Sequence, residues 1–181
     1  MDKKLAKKNL FEVKNILDKY HTEFFLIYGT ALGAYRDKDF ITGDGDIDLG
    51  TFDNSKFEEI KKDLEDEGFE IGICFDIEKK QEIPTKMILS EKRGIRVDLY
   101  YFEPYENDYV AWKHSYSYHP FMFLPKEFNK VKSIKFLGKI FNILTPIEKY
   151  LSFLYDNWEI KSNQQGKLFA DIKGIKEDKY I

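Results

Sequence analysis

Apolar positions recur about one helical turn apart at Leu5, Phe11, Val13, Ile16, Leu17 and Tyr20, separated by lysines and acids, which predicts an amphipathic helix over residues 3–20. His21 stands where that helix ends. An unbroken apolar run follows at 24–28, short and rich in aromatic and β-branched side chains like a buried strand, and Gly29-Thr30 closes it. Residues 31–36 suit a short helical turn. A polar loop then leads into Asp46-Ile47-Asp48-Leu49, where acids and apolar residues alternate with the period of a strand. Ser55 and Glu58 have capping-box spacing, and Phe57, Ile60 and Leu64 extend a helix to Glu67 with Gly68 at its stop. Further strands are predicted at 70–77, 86–89 and 95–102. The last two are joined through Lys92-Arg93-Gly94, where Gly94 can take the positive φ of a tight turn. Residues 103–120 show no period and read as irregular. Residues 131–143 read as a hairpin turning at Leu137-Gly138. Thr145-Pro146-Ile147-Glu148, a second capping box, opens a helix that carries Ile147, Tyr150, Leu151, Leu154 and Tyr155 on one side and ends near Trp158.

Composition narrows this picture. With 43% hydrophobic and 17% aromatic residues in 181, the chain is suited to one core heavy in Phe and Tyr, not to a disordered segment. Residues 1–160 read as a single domain and 161–181 as a polar C-terminal tail. A formal net charge of −3 gives no global attraction to nucleic acid, and no nucleic-acid partner is expected. Cys74, in an apolar run, reads as a buried inert thiol. Neither a signal-peptide core nor a membrane span is present, so a cytoplasmic location is expected, with room for peripheral membrane association through a substrate.

The candidate chemistry lies in the acids. Asp46 and Asp48 share one face of their strand while Ile47 and Leu49 share the other, and two neighbouring carboxylates repel unless a cation sits between them. A solvated acidic turn would not need the alternating apolar residues. An EF-hand loop fails on spacing, because its glycine and glutamate positions hold Leu49 and Ser55. The Asp-x-Asp motif of glycosyltransferases ordinarily follows a larger nucleotide-binding unit than 45 residues can supply. Asp98, an acid between Val97 and Leu99, needs a partner for its charge, and a cation held by Asp46 and Asp48 would supply one.

A strand ending in Gly-Thr, a short helix, a strand with Asp-x-Asp and a later strand with another Asp matches an α+β nucleotidyltransferase-like fold: a small mixed sheet packed against helices, with a C-terminal hairpin and helix. Within that fold the chain resembles the LicD/fukutin-like family. Gly29-Thr30-Ala31-Leu32-Gly33-Ala34-Tyr35-Arg36 is similar to that family's Gly-Thr-Leu-Leu-Gly-Ala-x-Arg. Asp44-Gly45-Asp46-Ile47-Asp48-Leu49-Gly50 is similar to its acidic run, with Gly45 in place of the middle acid, and Val97-Asp98-Leu99-Tyr100 resembles its later Val-Asp-Ile-Phe. The segment 135–158 is similar to its closing region, with Asn157 a departure there.

The resemblance implies transfer of a phospho-alcohol unit, phosphocholine or a polyol phosphate, from a cytidine diphosphate donor to a hydroxyl on a glycan or glycolipid such as a lipopolysaccharide or teichoic acid. Asp46, Asp48 and Asp98 are then the catalytic acids and hold Mg²⁺, with Mn²⁺ as a substitute; Asp98 would help bind the metal or take the proton of the incoming hydroxyl, and Asp44 would be a metal ligand, an outer orienting acid or a loop acid. Gly29 and Thr30 would cradle a donor phosphate, Gly29 because a side chain would hold the phosphate away and Thr30 through its hydroxyl. Arg36 would clamp a phosphate or pair with Asp37 or Asp39. Gly33 reads as a packing glycine. Tyr105, Tyr109, Trp112, Tyr116 and Tyr118 could wall a quaternary ammonium group, or simply pack. His114 and His119 make a weak metal signal without further ligands. The rival readings are an O-nucleotidyltransferase that uses an NTP on a small-molecule hydroxyl, and a catalytically inactive binding domain.

Overall fold

A computed structural model of the chain describes residues 1–72, 86–105, 107–112 and 121–161. Helix α1 (Lys3–Lys19) is capped by Asp2, whose carboxylate accepts the Lys4 and Leu5 N–H groups, and buries Ala6, Leu10, Val13, Ile16 and Leu17. Strand β1 (Phe24–Leu26) is fully buried. It ends earlier than its apolar run because Tyr28 takes a φ of 46° and opens a short helix, α2 (Tyr28–Leu32), which runs on into a π turn at Gly33–Asp37. Strand β2 (Asp46–Thr51) and helix α3 (Phe57–Asp66) follow. Strands β3 (Glu70–Ile71), β4 (Lys86–Lys92) and β5 (Ile95–Tyr101) come next. Then come β6 (Glu103–Tyr105), β7 (Asp108–Trp112), β8 (Phe121–Leu124), β9 (Lys130–Phe136), β10 (Lys139–Thr145) and α4 (Ile147–Leu154).

Seven strands form one mixed sheet in the order β3-β4-β5-β2-β1-β10-β9. Its centre is what positions the acids: β2 pairs antiparallel with β1 and parallel with β5. Helix α1 packs on β5 and α3, while α4 packs on β10 and α2. The β4–β5 hairpin turns at Arg93 and Gly94, both at positive φ, and is tied to α1 by polar contacts. The buried Asn9 amide donates to the Lys92 and Ile95 carbonyls at 2.6 and 3.3 Å. Arg93 donates to Asn9 Oδ1 at 2.6 Å and grips Glu12 with both terminal nitrogens at 2.8 and 3.0 Å. Every polar group of that amide thus has a use, which keeps its burial affordable.

Several expectations are corrected. Neither capping box forms. Asp53 Oδ1 accepts the Ser55 N–H at 2.9 Å and Thr51 Oγ1 accepts the Asp53 N–H at 3.0 Å, so the chain turns tightly there and α3 starts after Lys56. Helix α4 starts after Pro146 with no side-chain cap and ends at Leu154, short of Trp158. The aromatic stretch is not wholly irregular: β6, β7 and β8 make a separate three-stranded antiparallel sheet. Tyr109 packs its ring on Phe52 at 4.8 Å, within a stack that continues to Phe25 and Phe102. Cys74, His114, Tyr116, Tyr118, His119 and residues 162–181 lie outside the described residues. No helix among the described residues is long and apolar enough to cross a membrane.

Candidate active site

Parallel pairing of β2 with β5 sets Asp48 directly beside Asp98, and Asp46 beside Arg96. Successive side chains alternate across a sheet, so Asp46, Asp48 and Asp98 emerge on one face while Ile47, Val97 and Leu99 enter the core. One oxygen of each carboxylate lies within 4.8 Å of the others. Asp98 is buried and Asp48 nearly so, with Asp46 half-exposed at the mouth. Burial first, and then the charges of Asp46, Asp98 and Asp44, push the Asp48 carboxyl well above its ordinary range.

Both backbone groups of Asp48 are held from the preceding turn. Its N–H donates to Thr30 Oγ1 at 2.9 Å, and its carbonyl accepts the Ile27 N–H at 3.2 Å. Thr30 is buried, and its hydroxyl oxygen, expected at a donor phosphate, serves here to fasten the acidic strand to α2. At Gly29, a Cβ would come 2.6 Å from Asp44 Oδ2, so the missing side chain makes room for the Asp44 carboxyl. Asp44 accepts the Gly45 N–H at 3.1 Å through Oδ1 and buries Oδ2 without a hydrogen-bond partner among the described residues. Burial and then the charge of Asp46 raise its pKa to about 6.

Arg96 was not foreseen. Its guanidinium bridges the acids, contacting Asp46 Oδ2 and reaching Asp98 Oδ2 at 3.1 Å. The period of two that paired Asp46 with Asp48 also puts Arg96 on the face of Asp98, and this was the available signal. A group of tyrosines closes the inner side. Tyr28 and Tyr100 meet edge to face at 5.7 Å, and the Tyr150 hydroxyl accepts the Tyr28 N–H at 3.3 Å. Burial, then the neighbouring acids and phenols, hold Tyr28, Tyr100 and Tyr150 protonated far above the usual tyrosine range. Arg36 is turned to its own neighbour: Nε and Nη2 donate to the two Asp37 oxygens at 2.8 and 3.0 Å, and Nη1 donates to the Trp158 carbonyl at 2.9 Å. Gly33 lies against the Asp39 carbonyl, 2.6 Å from where a Cβ would sit, as suits a packing glycine.

The donor set fits a hard divalent cation. All the converging atoms are carboxylate oxygens, the choice of Mg²⁺ or Mn²⁺, and among the described residues one guanidinium, that of Arg96, faces acids packed closely enough to raise the pKa of Asp48.

No curated protein matches the chain. The crystal structure of ANT(2″)-Ia in complex with adenylyl-2″-tobramycin aligns at 13% sequence identity with a TM-score of 0.49, covering 76% of this chain and 68% of that one. The solution structure of the same antibiotic-resistance factor aligns at 13% identity and TM-score 0.49, covering 80% and 66%. The model of the family described as LicD/FKTN/FKRP, nucleotidyltransferase domain, matches residues 21–143. That span runs from the end of α1 into β10 and contains every acid of the site. The fold is therefore nucleotidyltransferase-like, and the chain belongs to the LicD/FKTN/FKRP nucleotidyltransferase-domain family.

Proposed function

We propose that this member of a transferase family moves a phospho-alcohol unit, phosphocholine or a polyol phosphate, from a CDP-linked donor to a hydroxyl of a glycan or glycolipid. The observation that carries the reading is the convergence of Asp46, Asp48 and Asp98 across the β2–β5 pair. Asp46, Asp48 and Asp98 would hold Mg²⁺, with Asp44 behind them, and such an ion would supply charge neutralisation at the donor diphosphate. The acceptor oxygen bonds to the phosphorus that carries the alcohol, the bond from that phosphorus to the bridging oxygen breaks, and CMP leaves. Asp98 is the carboxylate to which we assign the proton of the incoming hydroxyl. Thr30 and Gly29 act from below, Thr30 holding Asp48 and Gly29 leaving room for Asp44. An acceptor on a membrane lipid would bring the protein to the membrane surface.

The test is incubation with Mg²⁺ and a panel of CDP-alcohols and NTPs, with nucleotide products identified by mass spectrometry. CMP from one CDP-alcohol, abolished by EDTA, supports the reading and names the donor. Pyrophosphate from an NTP would replace it with O-nucleotidyl transfer. Cation binding without any turnover across donors and acceptors would favour a non-catalytic binding domain.

A further inference from the structure

Beyond α4 the chain doubles back, with Asn157 at a φ of 51°, and lies against the π turn that follows α2. Three contacts hold it there. Arg36 Nη1 donates to the Trp158 carbonyl at 2.9 Å, the Tyr35 and Trp158 rings meet at 5.8 Å, and Lys161 Nζ reaches Asp37 Oδ1 at 3.3 Å. Trp158 Nε1 also donates to Ser152 Oγ at 3.0 Å, linking the segment back to α4. The Arg36–Asp37 pair at the centre is bidentate, and the two side chains are only 12% and 11% exposed. With two nitrogens fixed on Asp37, the planar guanidinium aims its remaining terminal nitrogen at Trp158.

At the near end of this segment is Tyr155, packed on the core. Burial first, then the charges of Asp48, Asp44 and Asp46, keep its phenol protonated.

We propose that Arg36 is a positioning residue: with Asp37 it clasps residues 155–161 onto the turn that continues α2, the helix whose Thr30 holds the Asp48 N–H, and so steadies the acidic pocket that receives the donor. The role of the pocket rests on the transferase reading above. The clasp does not, and residues 155–161 lie outside the 21–143 that carry the family match. Arg36 thus acts through the backbone it holds, its nitrogens being committed to Asp37 and the Trp158 carbonyl, and leaves contact with phosphate to other groups.

The test uses Trp158 as reporter, in a Trp112→Phe background that removes the other tryptophan. Arg36→Gln, Asp37→Asn and the double variant are compared for Trp158 emission and quenching, for donor KM and kcat, and for Mn²⁺ affinity. Each single change is expected to shift Trp158 emission to the red and to raise donor KM about tenfold, the scale of one lost charge-assisted hydrogen bond. kcat moves less, Mn²⁺ affinity stays, and the double variant matches either single one because the pair acts as a unit. Arg36→Lys, which keeps the charge and loses the fork, gives a partial shift and serves if the other variants fold poorly. A raised KM in Arg36→Gln with Asp37→Asn at parent values for both KM and emission would overturn the proposal and make Arg36 a phosphate ligand. Unchanged Trp158 emission in every variant would also overturn it. Because emission is read without turnover, failure of the clasp and failure of the transferase reading remain distinguishable.

Discussion

Replacing Asp44 by Asn should remove a pH-dependent loss of stability. In the folded protein this carboxyl titrates at about 6, against an ordinary 3.8, because it is partly buried and faces Asp46. Between those values the folded state keeps the proton and the unfolded state has released it, so stability falls as pH rises through the window and is lowest above about pH 6. The gap corresponds to at most about 3 kcal/mol. Solvent screening of the part that remains open reduces the expectation to about 2 kcal/mol, or roughly 4 to 8 °C in melting temperature for a chain of this size. Asn carries no charge at any pH, and the price of burying its amide is the same at both ends of the range. The assay is thermal or urea denaturation of parent and Asp44→Asn at pH 4 and pH 8, with chelator throughout. The parent should lose about 2 kcal/mol more than the variant on going from pH 4 to pH 8. Equal losses would refute the reasoning, since the buried oxygen would then not be charged against its surroundings.

Asp48→Asn should cut transfer by about three orders of magnitude, as loss of a ligand worth several kcal/mol requires, while raising the chelated melting temperature by relieving repulsion with Asp46 and Asp98; parent-level turnover would sink the assignment. Arg96→Gln removes the cation that bridges Asp46 and Asp98, so Mn²⁺ affinity measured by electron paramagnetic resonance should rise several-fold while stability in chelator falls. Unchanged Mn²⁺ affinity would show that Arg96 does not compete for those oxygens. Gly33→Ala drives a Cβ to 2.6 Å from the Asp39 carbonyl and should cost about 1–3 kcal/mol in denaturation, because backbone must shift to admit it. At Gly45 a Cβ meets no heavy atom within 4 Å, so Gly45→Asp should tighten Mn²⁺ binding and lower the chelated melting temperature only slightly, through its added charge beside Asp44 and Asp46; a large fall would contradict the open space.

The acids were legible because a two-residue period is written locally: Asp46, Ile47, Asp48 and Leu49 declare their faces without reference to any other strand. Arg96 lies on the face of Asp98 by the same rule, but its contact with Asp46 depends on the β2–β5 pairing, which no local period declares. The tyrosines were not legible. Tyr28, Tyr100 and Tyr150 come from three elements, and only the sheet order β5-β2-β1-β10, with α4 packed across it, brings them to Asp48. Ser55 and Thr145 had cap spacing, but at Ser55 the competing acceptors Thr51 and Asp53 took the turn, a choice that depends on local geometry more than on residue type. At Gly29 the sequence shows that a side chain is missing but not what uses the space: the Asp44 carboxyl, fifteen residues along the chain, stands where a Cβ would sit, and only the folded loop brings it there.

The direct pairing of Asp48 with Asp98 makes the site a reporter of strand alignment. A slip of one residue between β2 and β5 would leave the sheet hydrogen-bonded yet bring Val97 or Leu99 opposite Asp48, and turn Asp98 toward the core. The three-carboxylate cluster proposed to hold a cation would come apart while circular dichroism changed little. The two strands are also separated in sequence by α3 and the β3–β4 region, so the cluster comes into being only when that long loop has closed. Metal-triggered fluorescence during refolding would therefore time the closure of the central parallel pair and reveal misaligned chains that backbone spectroscopy counts as native.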